Sequence, residues 1–323
     1  IKNNDRWIKS LKHRRRNIMK NKFIISDDGK CIIKYIGKEK NVIIPNNITS
    51  IGREAFKDNN TIESIEMEDN VTSIGREAFY RCERLKTIKL SNNIQTLNKE
   101  VFCGCKSLKN IVLPTSKLKT IGSGAFAFCS SIINLMIPES VKTIKRAAFY
   151  ECSSLENILF PEKIEKIDLN SMFFMCKNLH TINLPEGVTK IESFTFFGCD
   201  SLETVIIPDS CEELGPTCFD SIKQLKNVFI NKTSSNLKTI NHGAFAGCSS
   251  LESIIIPDKI TCINYNTFSC SGIKNIYLNN VENISWHGFY NCNNLSMIYG
   301  PNVIKIESSS ICLLYTSPSP RDA

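Results

Sequence analysis

The sequence predicts an α/β repeat solenoid. Each coil should add one strand to a parallel sheet and one short helical segment, in a right-handed path of about 11–12 repeats of about 23 residues. Three observations predict it. The hexapeptide Ile-Gly-Arg-Glu-Ala-Phe stands at Ile51–Phe56 and again at Ile74–Phe79. Its phenylalanine recurs as Phe56, Phe79, Phe102, Phe126, Phe149, Phe173, Phe196, Phe219, Phe245, Phe268 and Phe289. The steps are 23 or 24 residues, except 26 before Phe245 and 21 before Phe289. A proline also keeps phase, as Pro114, Pro138, Pro161, Pro185, Pro208, Pro257 and Pro301. Self-similarity at a fixed short period marks a stack of like units rather than a closed core.

One unit reads Leu85-x-x-Ile88-x-Leu90, then Ile94-x-x-Leu97, then Val101-Phe102-x-x-Cys105-x-x-Leu108. Ile88 and Leu90 alternate with period two, so this stretch is a strand. Proline follows the last apolar strand residue in most units. It has no N–H to donate and so ends the ladder there. The Phe-x-x-Cys-x-x-Leu spacing is close to one helical turn and predicts a short helix, which would also hold His242 and His287.

A single unit cannot stand alone. Ordering its residues costs about 1–2 kcal/mol each. Its few apolar side chains return about 1.5–3 kcal/mol each, and only when fully buried. Stacking supplies that burial, so the expectation is one elongated body.

The three submotifs, L-x-x-I-x-L-P, V-x-x-I and A-F-x-x-C-x-x-L, resemble the BspA-type leucine-rich repeat over Cys31 to Ile306. That resemblance implies a leucine-rich-repeat solenoid, from a family of surface and secreted proteins of anaerobic bacteria and protists. It implies adhesion or protein binding and no catalytic motif. Departures are Ile222 and Asn59 at the cysteine position, an insertion at Asn231–Asn236, and a short Phe268 unit. These units should stack less regularly.

Of 323 residues, 42% are hydrophobic, enough for an ordered core. Residues 1–22 hold nine of the 40 Lys and Arg and one of the 32 acids, so 31 of each sign remain elsewhere. The repeat body, 23–311, is neutral overall and gives no reason to expect a nucleic-acid partner. Residues 1–22 form a basic lead-in. Trp7, Ile8, Leu11 and Ile18 could give it an amphipathic face for a membrane surface or an acidic partner; a solvated lead-in is the plainer reading. Membrane contact is expected only there or in segments outside this sequence, since no apolar run is long enough to span. Residues 312–323, CLLYTSPSPRDA, keep no repeat phase and look like the translation of a sequencing adapter. They are expected to be non-native, leaving the solenoid without a C-terminal cap.

Cys82, Cys105, Cys129, Cys152, Cys176, Cys199, Cys248 and Cys292 all stand three residues after the repeated Phe. Thiols locked to one phase of a core repeat read as small buried hydrophobes rather than a disulfide framework or a zinc site. His13, His180, His242 and His287 fall in different units. No phosphate loop, HExxH or nucleophile elbow occurs, so the chain is expected to be no enzyme and to use no cofactor or metal. Sequons stand at Asn47, Asn59, Asn70, Asn231, Asn283 and Asn294, with Asn231, on the insertion, best placed for a glycan.

The candidate site is the concave sheet. Residues on either side of the central apolar strand position point away from the core. The first column is a polar ladder: Asn110, Asn134, Asn157, Thr181, Thr204, Asn227, Ser253 and Asn275, preceded by Ser64 and Thr87. The second runs Glu66, Lys89, Val112, Met136, Leu159, Asn183, Ile206, Phe229, Ile255, Tyr277 and Tyr299, apolar at all but Asn183 from Val112 on. Strand propensity alone favours such residues, but an exposed apolar stripe of this length marks a binding surface. The sequence thus predicts a protein-binding module, surface-displayed or secreted, that takes a protein or extended peptide on this face. An intracellular scaffold or regulatory module is the alternative.

Overall fold

The structure, a computed structural model, describes residues 22–311. The lead-in (save Lys22) and the tail expected from the sequence lie outside them. The chain divides into two compact units, 1–155 and 156–323, each described by itself below.

The first unit opens with an antiparallel hairpin. Phe23–Ile25 pairs with Cys31–Tyr35, Phe23 opposite Tyr35. Coils follow, each laying down a three-residue strand, a two-residue strand and a turn. The three-residue strands pair in parallel, in register Asn41↔Ser64↔Thr87↔Asn110. The V-x-x-I segment forms a second parallel ladder that was not foreseen as a strand, with Ile32↔Ile51↔Ile74 and Leu97↔Ile121↔Ile144. Both ladders place their apolar residues inward. Ile65, Ile88, Ile74 and Leu97 are buried.

In the second unit Thr181–Asn183, Thr204–Ile206 and Asn227–Phe229 pair in parallel. Asn275–Tyr277 pairs with Met297–Tyr299. The second ladder runs Ile191↔Leu214↔Ile240 and Ile263↔Ile284↔Ile306. Proline carbonyls close the turns that follow: Cys211 N–H donates to Pro208 at 3.1 Å, just after the strand Thr204–Ile206, and Ile260 N–H to Pro257 at 3.0 Å.

The repeated phenylalanines are all fully buried. In the first unit their rings stack from Phe56 to Phe149 at centroid spacings of 5.0, 5.4, 5.6 and 5.9 Å. Tyr35 takes the same place in the opening coil, 5.2 Å from Phe56. The second unit repeats the stack from Phe173 to Phe289, with spacings of 5.1 to 5.6 Å. The expected irregularity at the long and short units does not reach this column: Phe219–Phe245 and Phe268–Phe289 are within 9° of parallel.

The expected helical segments are not formed. No helix occurs among the described residues. Around every repeated Phe, the residues two before and two after it have positive φ. Glu77 (56°) and Arg81 (54°) flank Phe79, and Ala147 (56°) and Glu151 (53°) flank Phe149. An α-helix needs successive residues near φ −63°, so this alternation forbids it. Each such residue costs about 1–2 kcal/mol when it is not glycine. The compensation is a third inter-coil ladder. The N–H groups of Glu54, Phe56 and Asp58 donate to the carbonyls of Arg76, Ala78 and Tyr80 at 3.1, 2.8 and 2.8 Å. A helix would turn those donors back into its own coil. His242 and His287 therefore lie in such turns, not in helices, His287 itself at φ 59°.

A second correction concerns Ser253 and Ile255. They are not in a strand, and among the described residues no backbone hydrogen bond pairs 253–255 with the strand on either side. The side chains still alternate, Ser253 and Ile255 outward and Ile254 buried. The 26-residue step places three extra residues in the loop after Phe229, and that loop is tied to its own neighbours. Asn231 Oδ1 accepts from the N–H groups of Thr233 and Ser234, both at 3.2 Å, and the Ser234 hydroxyl donates to Asp209. The next coil then fails to close onto the sheet.

Candidate binding surface

The second column projects into solvent. Val112, Met136, Leu159, Phe229, Ile255, Tyr277 and Tyr299 are 51–79% exposed, and Ile206 is 37% exposed. The residues beside them, such as Leu135, Ile158, Val205, Val228 and Ile276, are buried. Parallel register lines the column up: Asn183, Ile206 and Phe229 are directly opposed, as are Tyr277 and Tyr299, whose rings lie 6.0 Å apart.

In the first unit the column reads Ile43, Glu66, Lys89, Val112. The middle pair is a salt bridge, Lys89 Nζ to Glu66 Oε1 at 2.7 Å. Ile43, 67% exposed, belongs to the same column and was missed. Its signal was available, since Ile43 stands 23 residues before Glu66. The polar ladder is partly self-satisfied. The Ser64 hydroxyl donates to Asn41 Oδ1 at 2.7 Å, and Asn227 Nδ2 donates to Thr204 Oγ1 at 3.4 Å. Thr87, Thr181, Asn227, Ser253 and Asn275 are exposed. Asn134 and Asn157 are exposed too, each with a bonding partner. Asn110 heads its strand in register with Thr87.

The second unit gathers the column into a groove. A depression of about 550 Å³ is floored by Asn183, Ile206, Phe229 and Ile255. Phe160, Pro161, Pro185 and Pro208 wall it, and Glu162, Glu186 and Asp209 lie along the same wall. Glu186 is fixed, its two oxygens accepting from the N–H groups of Asp209 and Ser210 at 3.0 and 3.1 Å. A smaller depression of about 210 Å³ lies on the other side of Ile255, lined by Lys232, Tyr277 and Asn279. The unpaired stretch at 253–255 separates the two.

Reactive chemistry is not gathered anywhere comparable. Among the described residues no three His, Cys, Asp or Glu side chains come together as a metal site would need. His180, His242 and His287 stay in separate coils, and the ring of His287 lies 4.0 Å from that of Trp286. The described cysteines are free thiols, and only Cys270 is exposed. Burial pushes the Cys82 and Cys152 thiols up to about 12, so neither is a nucleophile at neutral pH. No helix of the described residues is long and apolar enough to cross a membrane.

Parallel strands one coil apart, a stacked aromatic core and an exposed sheet face define a leucine-rich repeat solenoid. The chain belongs to the BspA-type leucine-rich repeat family, whose repeat region matches residues 33–156, 142–236 and 222–313. Among solved structures it is similar to a leucine-rich repeat protein from Bacteroides ovatus, with 28% identity over 88% of each chain and a TM-score of 0.59. It also resembles a leucine rich cell surface protein from Faecalibacterium prausnitzii, 24% identical, covering 86% of this chain and 92% of that one, TM-score 0.48. A leucine-rich repeat protein of T. pallidum is 24% identical over 63% of this chain and 86% of its own, TM-score 0.45. No curated protein matches the sequence. Leucine-rich repeats are a general protein-interaction module, and their proteins are generally not enzymes.

Proposed function

We propose that this chain is a recognition module that binds a protein or extended peptide on its sheet face, with the groove over Ile206, Phe229 and Ile255 as the centre. The observation that carries this is the exposed apolar column itself. Aromatic and aliphatic side chains that could have packed inward in a neighbouring phase are instead turned outward, all but Ile255 on hydrogen-bonded strands. Exposed apolar surface of this extent costs free energy unless something covers it. Phe229, Tyr277 and Tyr299 are of the type that dominates interface energetics, and a preformed sheet binds without an ordering penalty on its own side. The polar ladder supplies hydrogen-bonding groups alongside. Surface display or secretion, with a role in adhesion, is part of the same reading and rests on the BspA-type family.

The test is selection of peptides from a random display library on the folded chain, followed by competition with the double variant Phe229→Asp, Tyr277→Asp. Selected peptides should carry apolar or aromatic anchors and lose at least tenfold in affinity on the variant, with its melting temperature unchanged. Peptides that bind wild type and variant alike would place recognition elsewhere. Proteolytic shaving of intact source cells tests the surface reading, which predicts removal of the protein before any cytoplasmic marker is cut.

A further inference from the structure

A second site lies in the first unit, on the turn row rather than the sheet. One residue after the repeated Phe, the coils carry Tyr80, Cys103, Ala127 and Tyr150. Two large rings thus bracket two small side chains. The result is a cleft of about 430 Å³ between Tyr80 on one side and Phe128 with Tyr150 on the other. Phe128 and Tyr150 brace each other edge to face, ring centroids 5.3 Å apart. Its base includes Cys103, Gly124 and Ala127, all buried. Tyr80 and Phe128 belong to coils two steps apart, about 10 Å, room for one ring between them.

The charge pattern changes at the same place. Two and three residues before the Phe, earlier coils carry acid and base together: Arg53 with Glu54, Arg76 with Glu77, Lys99 with Glu100. In two of them the acid holds the base, Arg53 to Glu54 at 2.9 Å and Lys99 to Glu100 at 3.1 Å, while Glu77 is taken by Lys57 at 2.9 Å. In the next two coils the acid position is Gly124 and then Ala147, while Arg146 remains. Arg146 is exposed, lines the cleft and has no ion pair among the described residues. The nearby Glu151 hydrogen-bonds Tyr150. Cleft and unpaired guanidinium therefore coincide at Arg146, the one such base that lines the cleft without an acid beside it in its own turn.

We propose that this cleft binds an aromatic residue at a peptide's C-terminus, the ring between Tyr80 and the Phe128 that Tyr150 braces, and the carboxylate on Arg146. Offset or edge-to-face ring contacts hold the side chain. A guanidinium takes a carboxylate through two parallel N–H bonds, which fixes orientation. Lys99 adds a second positive charge at the rim, shared with Glu100. The site is independent of the sheet-face groove.

Three probes test it by chemical-shift perturbation and calorimetry on the whole chain: N-acetyl-phenylalanine, its neutral amide, and N-acetyl-glutamate, which lacks the ring. The acid should bind in a roughly millimolar range, at least tenfold more tightly than either of the others, and shift the amides of 123–128. Arg146→Gln should remove that preference over the amide. Ala127→Tyr should abolish binding by filling the gap with the residue neighbouring coils already carry. Equal binding of the three probes, no binding, or shifts that persist in Ala127→Tyr would overturn the proposal. If Ala127→Tyr fails to fold, Arg146→Gln, at an exposed side chain with no ion pair among the described residues, still decides it.

Discussion

The thiol of Cys105 donates a hydrogen bond to the carbonyl of Phe79, one coil earlier, at 3.1 Å. The same bond recurs from Cys82 to Phe56 and from Cys129 to Phe102, each at 3.1 Å. In the second unit it joins Cys199 to Phe173 and Cys248 to Phe219. That carbonyl already accepts the N–H three residues on in its own turn, as Cys82 N–H to Phe79 O at 3.1 Å. The cysteine is therefore not only a small apolar filler: it gives the buried carbonyl its second partner and ties adjacent turns together.

Cys105→Val separates the two roles, because valine keeps the bulk and removes the donor. Ile222 shows that a branched apolar side chain is accommodated at this phase. The variant should lose about 1 kcal/mol in urea unfolding, the net worth of one buried hydrogen bond. Cys105→Ala should lose about 1–3 kcal/mol, since it adds a cavity. A Val variant as stable as wild type would reduce the thiol to packing alone.

Alkaline pH should unfold the protein through the same thiols. Burial raises the folded pKa of Cys82 and of Cys152 from 9.0 to about 12. A thiol is neutral when protonated, so above pH 9 the unfolded chain releases protons that the folded chain keeps. Stability is then complete below pH 9 and falls as pH rises from 9 towards 12. The slope is about 1.4 kcal/mol per pH unit for each such thiol. Urea midpoints under reducing conditions should be flat from pH 7 to 8.5 and drop steeply by pH 10. A midpoint unchanged at pH 10 would contradict the burial.

The turns offer a different test, because their strain is local. Ala147 sits at φ 56°, half-buried, in a position that other coils fill with Gly124 or Gly243. Glycine meets no Cβ clash there, while its greater freedom when unfolded offsets part of the gain. Ala147→Gly should be neutral or stabilising by about 0.5–1 kcal/mol. Ala148→Gly, at a buried neighbour with ordinary φ, should destabilise by at least as much. Equal losses at both would mean that the left-handed turn is not what limits this position.

The coil, its strand and its buried face were legible because burial imposes period: Phe, Cys and the strand isoleucines each recur wherever one coil must cover the next. The turn conformation was not. Phe102-x-x-Cys105-x-x-Leu108 has helical spacing, yet spacing reports only which side chains face the core. The alternation at Glu100 and Gly104 is set by backbone hydrogen bonds to the following coil, which side-chain pattern does not encode. The exposed column was readable from Ile88 and Leu90 because strand alternation is strict. The cleft beside Tyr80 was not, because it depends on what two later coils leave out.

The break at Ser253 to Ile255 can be repaired by deletion, and the repair would show what opens it. Phe219 to Phe245 spans 26 residues where the usual coil has 23. Removing Lys232, Thr233 and Ser234 restores that length and takes away Ser234's bond to Asp209. It leaves the N–H of Asn236, which donates to the Asp209 carbonyl at 2.9 Å, to hold the shortened loop in place. Ser253–Ile255 should then pair with Asn227–Phe229, as Thr204–Ile206 already does on the other side. Hydrogen exchange reads this directly. In the wild-type chain the amides of 253–255 should exchange far faster than those of 204–206; in the deletion variant the two sets should be protected to within about tenfold. The depression lined by Lys232 and Tyr277 should close at the same time, so peptides that use Tyr277 should weaken while those seated on Ile206 and Phe229 are kept. Continued fast exchange at 253–255 in a folded deletion variant would show that the Ser-Ile-Ile-Ile-Pro segment itself, not the insertion, resists the sheet.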